Sequence, residues 1–116
     1  MKDNVVKDKS LEFAVRIVNL YKFLVNEQKE FVMSKQILRS GTSIGANIRE
    51  AEQAQSRADF INKLNIALKE ANETEYWLGL LIRTEYITRE QYESINNDST
   101  EINKLLISII KTTKNN

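Results

Sequence analysis

Glu70-Ala71-Asn72-Glu73-Thr74-Glu75 is the densest run of reactive side chains in the chain, with three carboxylates inside two helical turns. Carboxylates at helical spacing in a bundle can hold a di-metal centre, but such centres draw on Glu-x-x-His pairs, and this chain has no His. No metal and no other cofactor is expected. The chain also has no Cys, so thiolate ligands, disulfides and a cysteine nucleophile are absent, and without His the commonest general base is missing. A helical-bundle ribonuclease built on an Arg-x-His motif is excluded on the same ground. Ser40-Gly41-Thr42-Ser43-Ile44-Gly45-Ala46-Asn47 gathers glycines and hydroxyls as a phosphate-binding loop does. It lacks the Lys-Ser/Thr ending and the preceding strand such a loop needs, so a small-residue helix face is the better reading. The chemistry points to a protein that is not an enzyme.

Cations offer more. The chain holds 17 Lys and Arg against 16 Asp and Glu, a net +1, so no overall field marks a polyanion binder. The distribution is uneven: residues 16–49 carry six cations and two anions, 50–101 five cations and eleven anions, and 102–116 three cations and no anion. Solvated helix faces account for this in the simplest way. In a sharper reading, acidic and basic flanks of neighbouring subunits meet head to tail in a ring. That leaves Arg16, Lys22, Lys35 and Arg49, with Lys111 and Lys114 of the tail, for RNA or DNA. Arg39 is expected in a structural ion network with Glu73 and Glu75, and Lys63 opposite Glu52. Partly exposed pairs of this kind contribute little each.

These groups must be positioned by helices. At 116 residues, 41% of them apolar, with no Pro and only three Gly, the chain is expected to form one all-α domain over 1–116. Charges through Met1 to Phe13 interrupt any signal-peptide core, and the longest apolar runs, Trp77 to Ile82 and the Ser-interrupted Leu105 to Ile110, are far short of a membrane span. A cytoplasmic location with no membrane partner is expected.

Four stretches carry helical periodicity. Phe13, Ile17, Leu20 and Leu24 mark a first helix from about Ser10 to Val25, followed by a loop over 26–33. Ile37, Gly41, Ile44, Ile48 and Ala51 mark a second, capped by Ser34 and running to about Gln55. Ser56 caps a third, with Phe60, Leu64, Ala67, Ala71, Thr74, Leu78 and Leu81 on its inner row. Thr88-Arg89-Glu90-Gln91 is a capping box opening the fourth, which carries Tyr92, Ile95, Ser99, Ile102, Leu106 and Ile109 before a tail, Lys111 to Asn116, expected to fray.

Facing residues of two antiparallel helices have a constant index total whose half lies in the connecting turn. Helices two and three match at 115 (Ile44 with Ala71, Ile48 with Ala67), three and four at 173, and one and two at 61, which sets Leu20 over Gly41. All three midpoints fall at or beside turns, so the expected fold is an antiparallel up-down-up-down four-helix bundle with Ile44, Ile48, Ala67, Ala71, Leu78 and Ile102 in its central layers. Gly41 and Gly45, each costing about 1 kcal/mol inside a helix, require the close approach of helix one or of another subunit. Helix three is too apolar for one seam: Ile66, Trp77 and Leu80 form a further stripe, which favours a homo-oligomeric contact.

Leu11-Glu12-Phe13-Ala14-Val15-Arg16-Ile17, the stretch Gln36 to Ile48 with its Arg-Ser-x-x-Ser-Ile-x-x-Asn spacing, and Ala58-Asp59-Phe60 leading to Leu68-Lys69-Glu70-Ala71-Asn72-Glu73-Thr74-Glu75-Tyr76-Trp77-Leu78 closely resemble the bacterial four-helix bundle proteins also called 23S ribosomal RNA intervening-sequence proteins. The resemblance covers nearly the whole chain. It implies a small bundle assembled as a pentameric ring. Related accessory proteins of retroelements are basic barrels that bind nucleic acid and a reverse transcriptase, so the resemblance implies a non-catalytic accessory that binds nucleic acid, or a scaffold for a partner protein.

Replacing Ala71 by Leu is expected to overpack the seam between helices two and three and cost about 1 to 3 kcal/mol, read by denaturant unfolding. Unchanged stability would show that this register is wrong.

Overall fold

The computed structural model describes residues 2–116, with side chains from Val5 onward, as four helices: α1 (Lys2–Asn26), α2 (Met33–Ala51), α3 (Arg57–Arg83) and α4 (Arg89–Lys114). No strand occurs among the described residues. α1 packs on α2 and α4, and α3 packs on the same two, so the helices occupy the corners of a four-sided bundle about 47 Å long. Contacting residue numbers run in opposite senses along neighbours. Lys7 meets Glu52 at 2.9 Å while Ile17 lies on Gly41; Thr74 donates to Ser40 at 2.9 Å while Lys63 meets Glu50 at 3.2 Å.

The inner rows follow the 3.6-residue period. Ile44, Ile48, Ala67, Ala71, Leu78 and Ile102 are all at most 3% exposed, joined by Phe13, Ile17, Leu24, Ile37, Leu64 and Leu106. Two helices run further than the apolar pattern suggested. α1 begins eight residues before Ser10, because Val6 and Ser10 continue its buried row through Phe13, Ile17, Leu20 and Leu24 at 4,3,4,3,4 spacing. α4 stays helical through Lys114 instead of fraying from Lys111. Ile109 and Ile110 are buried near its end, and Lys111 and Lys114 lie in the last turn, where cations oppose the negative end of the helix dipole.

The caps divide in the same way. Ser56 accepts from the Asp59 amide at 3.0 Å, and Thr88 and Gln91 form the reciprocal box. Ser34, however, is not the α2 cap and lies inside the helix, which ends at Ala51 and not near Gln55. The buried Glu30 carboxylate does the work, accepting from Val32 at 3.2 Å, Met33 at 3.0 Å and Ser34 at 2.7 Å. A carboxylate can satisfy three free amides and also meets the positive end of the helix dipole, so it displaces a hydroxyl cap.

The α1/α2 register also differs from the matched index. Ile17, not Leu20, sits over Gly41, and a Cβ built there would lie 2.7 Å from Ile17 Cγ1 and 2.8 Å from Cγ2. Side chains of packed helices sit over holes in the partner, not over opposing side chains, which staggers the pair by about a turn. Gly45 meets the Ser10 hydroxyl and carbonyl in the same way, so close approach of α1 accounts for both glycines. Gly79 has nothing within 4 Å of its would-be Cβ.

The two glycines should therefore respond oppositely to alanine. Gly41→Ala must displace the fully buried Ile17 and is expected to lower stability by about 1 to 2 kcal/mol. Gly79→Ala should raise it by up to about 1 kcal/mol through helix propensity alone. Chemical denaturation of the two variants side by side checks both signs.

Candidate nucleic-acid and subunit interfaces

The four cations expected to meet a polyanion are not brought together. Arg16 is turned onto α4, where Nη1 donates to Asp98 Oδ2 at 2.6 Å and to the Ser94 carbonyl at 3.2 Å, and Nη2 donates to Ser94 Oγ at 2.9 Å. Its charge is engaged within the bundle. Lys22, Lys35 and Arg49 are exposed and have no ion-pair partner among the described residues. Lys22 and Lys35 flank the loop between α1 and α2, whereas Arg49 lies 14 residues along α2 from Lys35, about 21 Å away. They make two separate positive regions at opposite ends.

The ion network centres on Arg39, with different partners from those the spacing suggested. Arg39 Nη2 donates to Glu73 Oε2 at 2.6 Å, and Nη1 donates to Glu70 Oε2 at 3.3 Å. Glu75 lies elsewhere: its Oε2 accepts from Ser99 Oγ at 3.1 Å and from Asn103 Nδ2 at 2.7 Å on α4. The reason is rotational. Residues two apart on a helix point about 200° from one another, so Glu73 and Glu75 cannot both face α2, while Glu70, three residues from Glu73, can. Lys63 pairs with Glu50 and not Glu52, because Glu52 is already held by Lys7.

The apolar stripe shares that edge of α3. Lys63, Ile66, Glu70, Glu73, Trp77 and Leu80 repeat at 3,4,3,4,3 spacing, so Ile66, Trp77 and Leu80 lie on one row with the residues that bond α2. All three are half-buried. Trp77 packs against the core, donates through Nε1 to Glu73 Oε2 at 3.1 Å, and meets the exposed Tyr76 ring edge-on at 5.1 Å. Its own protomer thus fixes the indole while leaving part of it open.

Partners that the spacing did not indicate include Glu70 for Arg39, Glu50 for Lys63, Ser99 and Asn103 for Glu75, Asp98 for Arg16, and Glu30 as a cap. The rotational rule would have found Glu70; Asp98 needed the α1/α4 packing, which no local spacing encodes. A hollow of about 460 Å³ lies beside Phe23, Ile82 and Tyr86, and at its rim Gln28 Nε2 donates to the Tyr86 carbonyl at 2.9 Å. No group of three or more acidic residues placed to hold a metal occurs among the described residues, and no described helix is long and apolar enough to cross a membrane.

A sequence model for the family described as 23S rRNA-intervening sequence protein matches residues 2–108. Among solved structures, a protein of unknown function from the S23 ribosomal protein family of Bacteroides thetaiotaomicron is 99% identical and superposes with a TM-score of 0.95. The match covers 96% of this chain and 99% of that one. No curated protein matches.

Arg39, then the Trp77 indole, stabilise the Glu73 carboxylate and hold it below its ordinary range. A lowered value in the folded state means that the stabilisation is present above the unfolded value and is lost as pH falls through the folded one. Because the pair is partly exposed, its removal by Glu73→Gln is expected to cost under about 1 kcal/mol at neutral pH and nothing in strong acid. Trp77, the only tryptophan, reports the event directly. Its fluorescence should titrate below pH 4.5, and Glu73→Gln should abolish that step.

Proposed function

Because the chain belongs to the 23S rRNA-intervening sequence protein family, we propose that it is a non-catalytic, cytoplasmic accessory protein that assembles into a homo-oligomeric ring, a pentamer, and binds RNA. The carrying observation is the set of exposed, unpaired cations Lys22, Lys35 and Arg49 on a chain whose other cations on α1 and α2 are largely ion-paired. An antiparallel up-down-up-down connection, supported by the opposite sense of the interhelical contacts, sets Lys22 and Lys35 at one end and Arg49 at the other. The half-buried Ile66, Trp77 and Leu80 favour assembly through the α3 edge.

A single protomer with net +1 binds phosphates weakly. Repetition of its basic regions around a ring makes binding multivalent, so long RNA is expected to bind more tightly than short oligonucleotides. Phosphate contacts carry no sequence information, so preference among sequences should be slight.

Gel filtration with light scattering is expected to give an oligomer at micromolar concentration that Trp77→Ala weakens. Fluorescence polarisation of labelled RNA should show binding at about 50 mM salt that falls steeply by about 200 mM, and Lys22→Glu with Arg49→Glu should weaken it at least about tenfold. An oligomer without polyanion affinity would favour a protein-interaction scaffold, and a monomer would overturn the ring.

A further inference from the structure

The carboxylates in the body of α3 do not line its solvent row. After Asp59 the helix has three acids: Glu70 and Glu73 are turned to Arg39 of α2, and Glu75 into the seam with α4. What remains on the outward row is Asn62, Asn65, Lys69, Asn72, Tyr76 and Arg83, all exposed and none acidic. The spacing of 3,4,3,4,7 keeps them on one side of the helix over about 30 Å.

α4 extends this surface. Lys104, Lys111 and Lys114 are exposed and without an ion-pair partner among the described residues. A groove lined by Asn65, Leu68, Ile107, Ile110, Lys111 and Lys114 joins the two helices. The acids of α4 beside α1 are engaged there, Asp98 with Arg16 and Glu101 with Lys9. The outward row of α3 and the C-terminal half of α4 together present a cationic and amide-rich face.

We infer that the outward row of α3 and the C-terminal half of α4 form a binding surface for a single-stranded polynucleotide, with Lys69, Lys104, Lys111 and Lys114 on phosphates, Asn62, Asn65 and Asn72 on sugar and base edges, and Tyr76 as a stacking platform. This rests on the proposed polyanion binding and adds, beside the Lys22, Lys35 and Arg49 regions, a separate face for single strands. Tyr76 is 60% exposed, and its ring is braced edge-on by Trp77, itself tied to Glu73. A braced, exposed aromatic amid cations is what base stacking uses, and stacking needs bases freed from a duplex. Gly79, with open space at its Cβ position between Tyr76 and Arg83, leaves the helix backbone accessible beside that ring. A lipid surface is disfavoured because Ile107 is the one large apolar side chain more than half exposed on α4, and an acidic peptide has no use for a stacking ring.

The test is polarisation of labelled oligouridylate, oligothymidylate and a mixed-sequence duplex, each about 20 nucleotides, against the full-length protein across a salt series. Both single strands should bind more tightly than the duplex, with oligouridylate the tighter if the amides use the 2′-hydroxyl and equal affinity if they read only bases. Lys69→Gln with Lys104→Gln and Lys111→Gln should shallow the log-log salt slope by about two for single strands. Tyr76→Leu should weaken single-strand binding about tenfold and leave the slope and duplex binding unchanged. Circular dichroism melting controls for folding, since all four side chains are exposed. Wild-type binding that survives the triple variant unchanged, or a duplex preferred over both strands, overturns this surface while leaving polyanion binding itself intact. No binding of any probe by the wild type removes both.

Discussion

The close approach of α1 to α2 at Gly41 sets the frame on which the other seams depend. Ile17 occupies the space any larger residue at 41 would fill, and one turn along a Cβ at Gly45 would lie 3.2 Å from the Ser10 hydroxyl, a tighter but not excluded contact. Two fixed points on one pair of helices determine both stagger and rotation. With α2 so held, its inward face brings Ile44 and Ile48 into the core that Ala67 and Ala71 of α3 share, and its lateral edge presents Arg39 to α3. Each glycine gives up helix propensity so that a buried side chain of α1, Ile17 or Ser10, can pack close to the α2 backbone.

Arg39 then governs the electrostatics of α3. By drawing Glu70 and Glu73 to one edge, it strips negative charge from the solvent row, and the Ser99–Asn103 pair removes Glu75 on the other side. The same Glu73 oxygen holds the Trp77 indole, and Trp77 braces Tyr76. One guanidinium thus links the α2/α3 seam, the open edge carrying Ile66, Trp77 and Leu80, and the orientation of an exposed aromatic ring. The individual pairs are weak because water screens them. Their consequence is directional: they decide which charges the protein shows.

Membership of the 23S rRNA-intervening sequence protein family and near-identity to a solved chain of the S23 ribosomal protein family settle kinship, while that solved chain is itself described as of unknown function. Function must therefore be sought on the surface. The cations divide into those consumed by the bundle, such as Arg16 on Asp98, and those left free, and only the second group can serve a ligand.

Because period and caps follow from local physics, the sequence by itself determined that there are four helices, where they turn and which rows are buried, though not the start of α1 or the ends of α2 and α4. Period 3.6 fixes which residues are buried together, and the Ser56 and Thr88 caps close rings within three residues of themselves. Cap choice at α2 was less legible, since Glu30 reaches back over a loop whose shape the sequence does not specify. The α1/α2 stagger, the partner of each edge charge and the character of the α3 face belonged to the tertiary structure alone. Long side chains at a helix edge can reach either neighbour, and heptad matching leaves a one-turn shift undecided. The choice falls to knob-into-hole packing at sites such as Gly41, where steric exclusion acts between residues far apart in the chain. A net charge over 50–101 has no direction, and only the packed helices turned Glu70, Glu73 and Glu75 to the seams and left Lys69 and the asparagines of α3 to solvent.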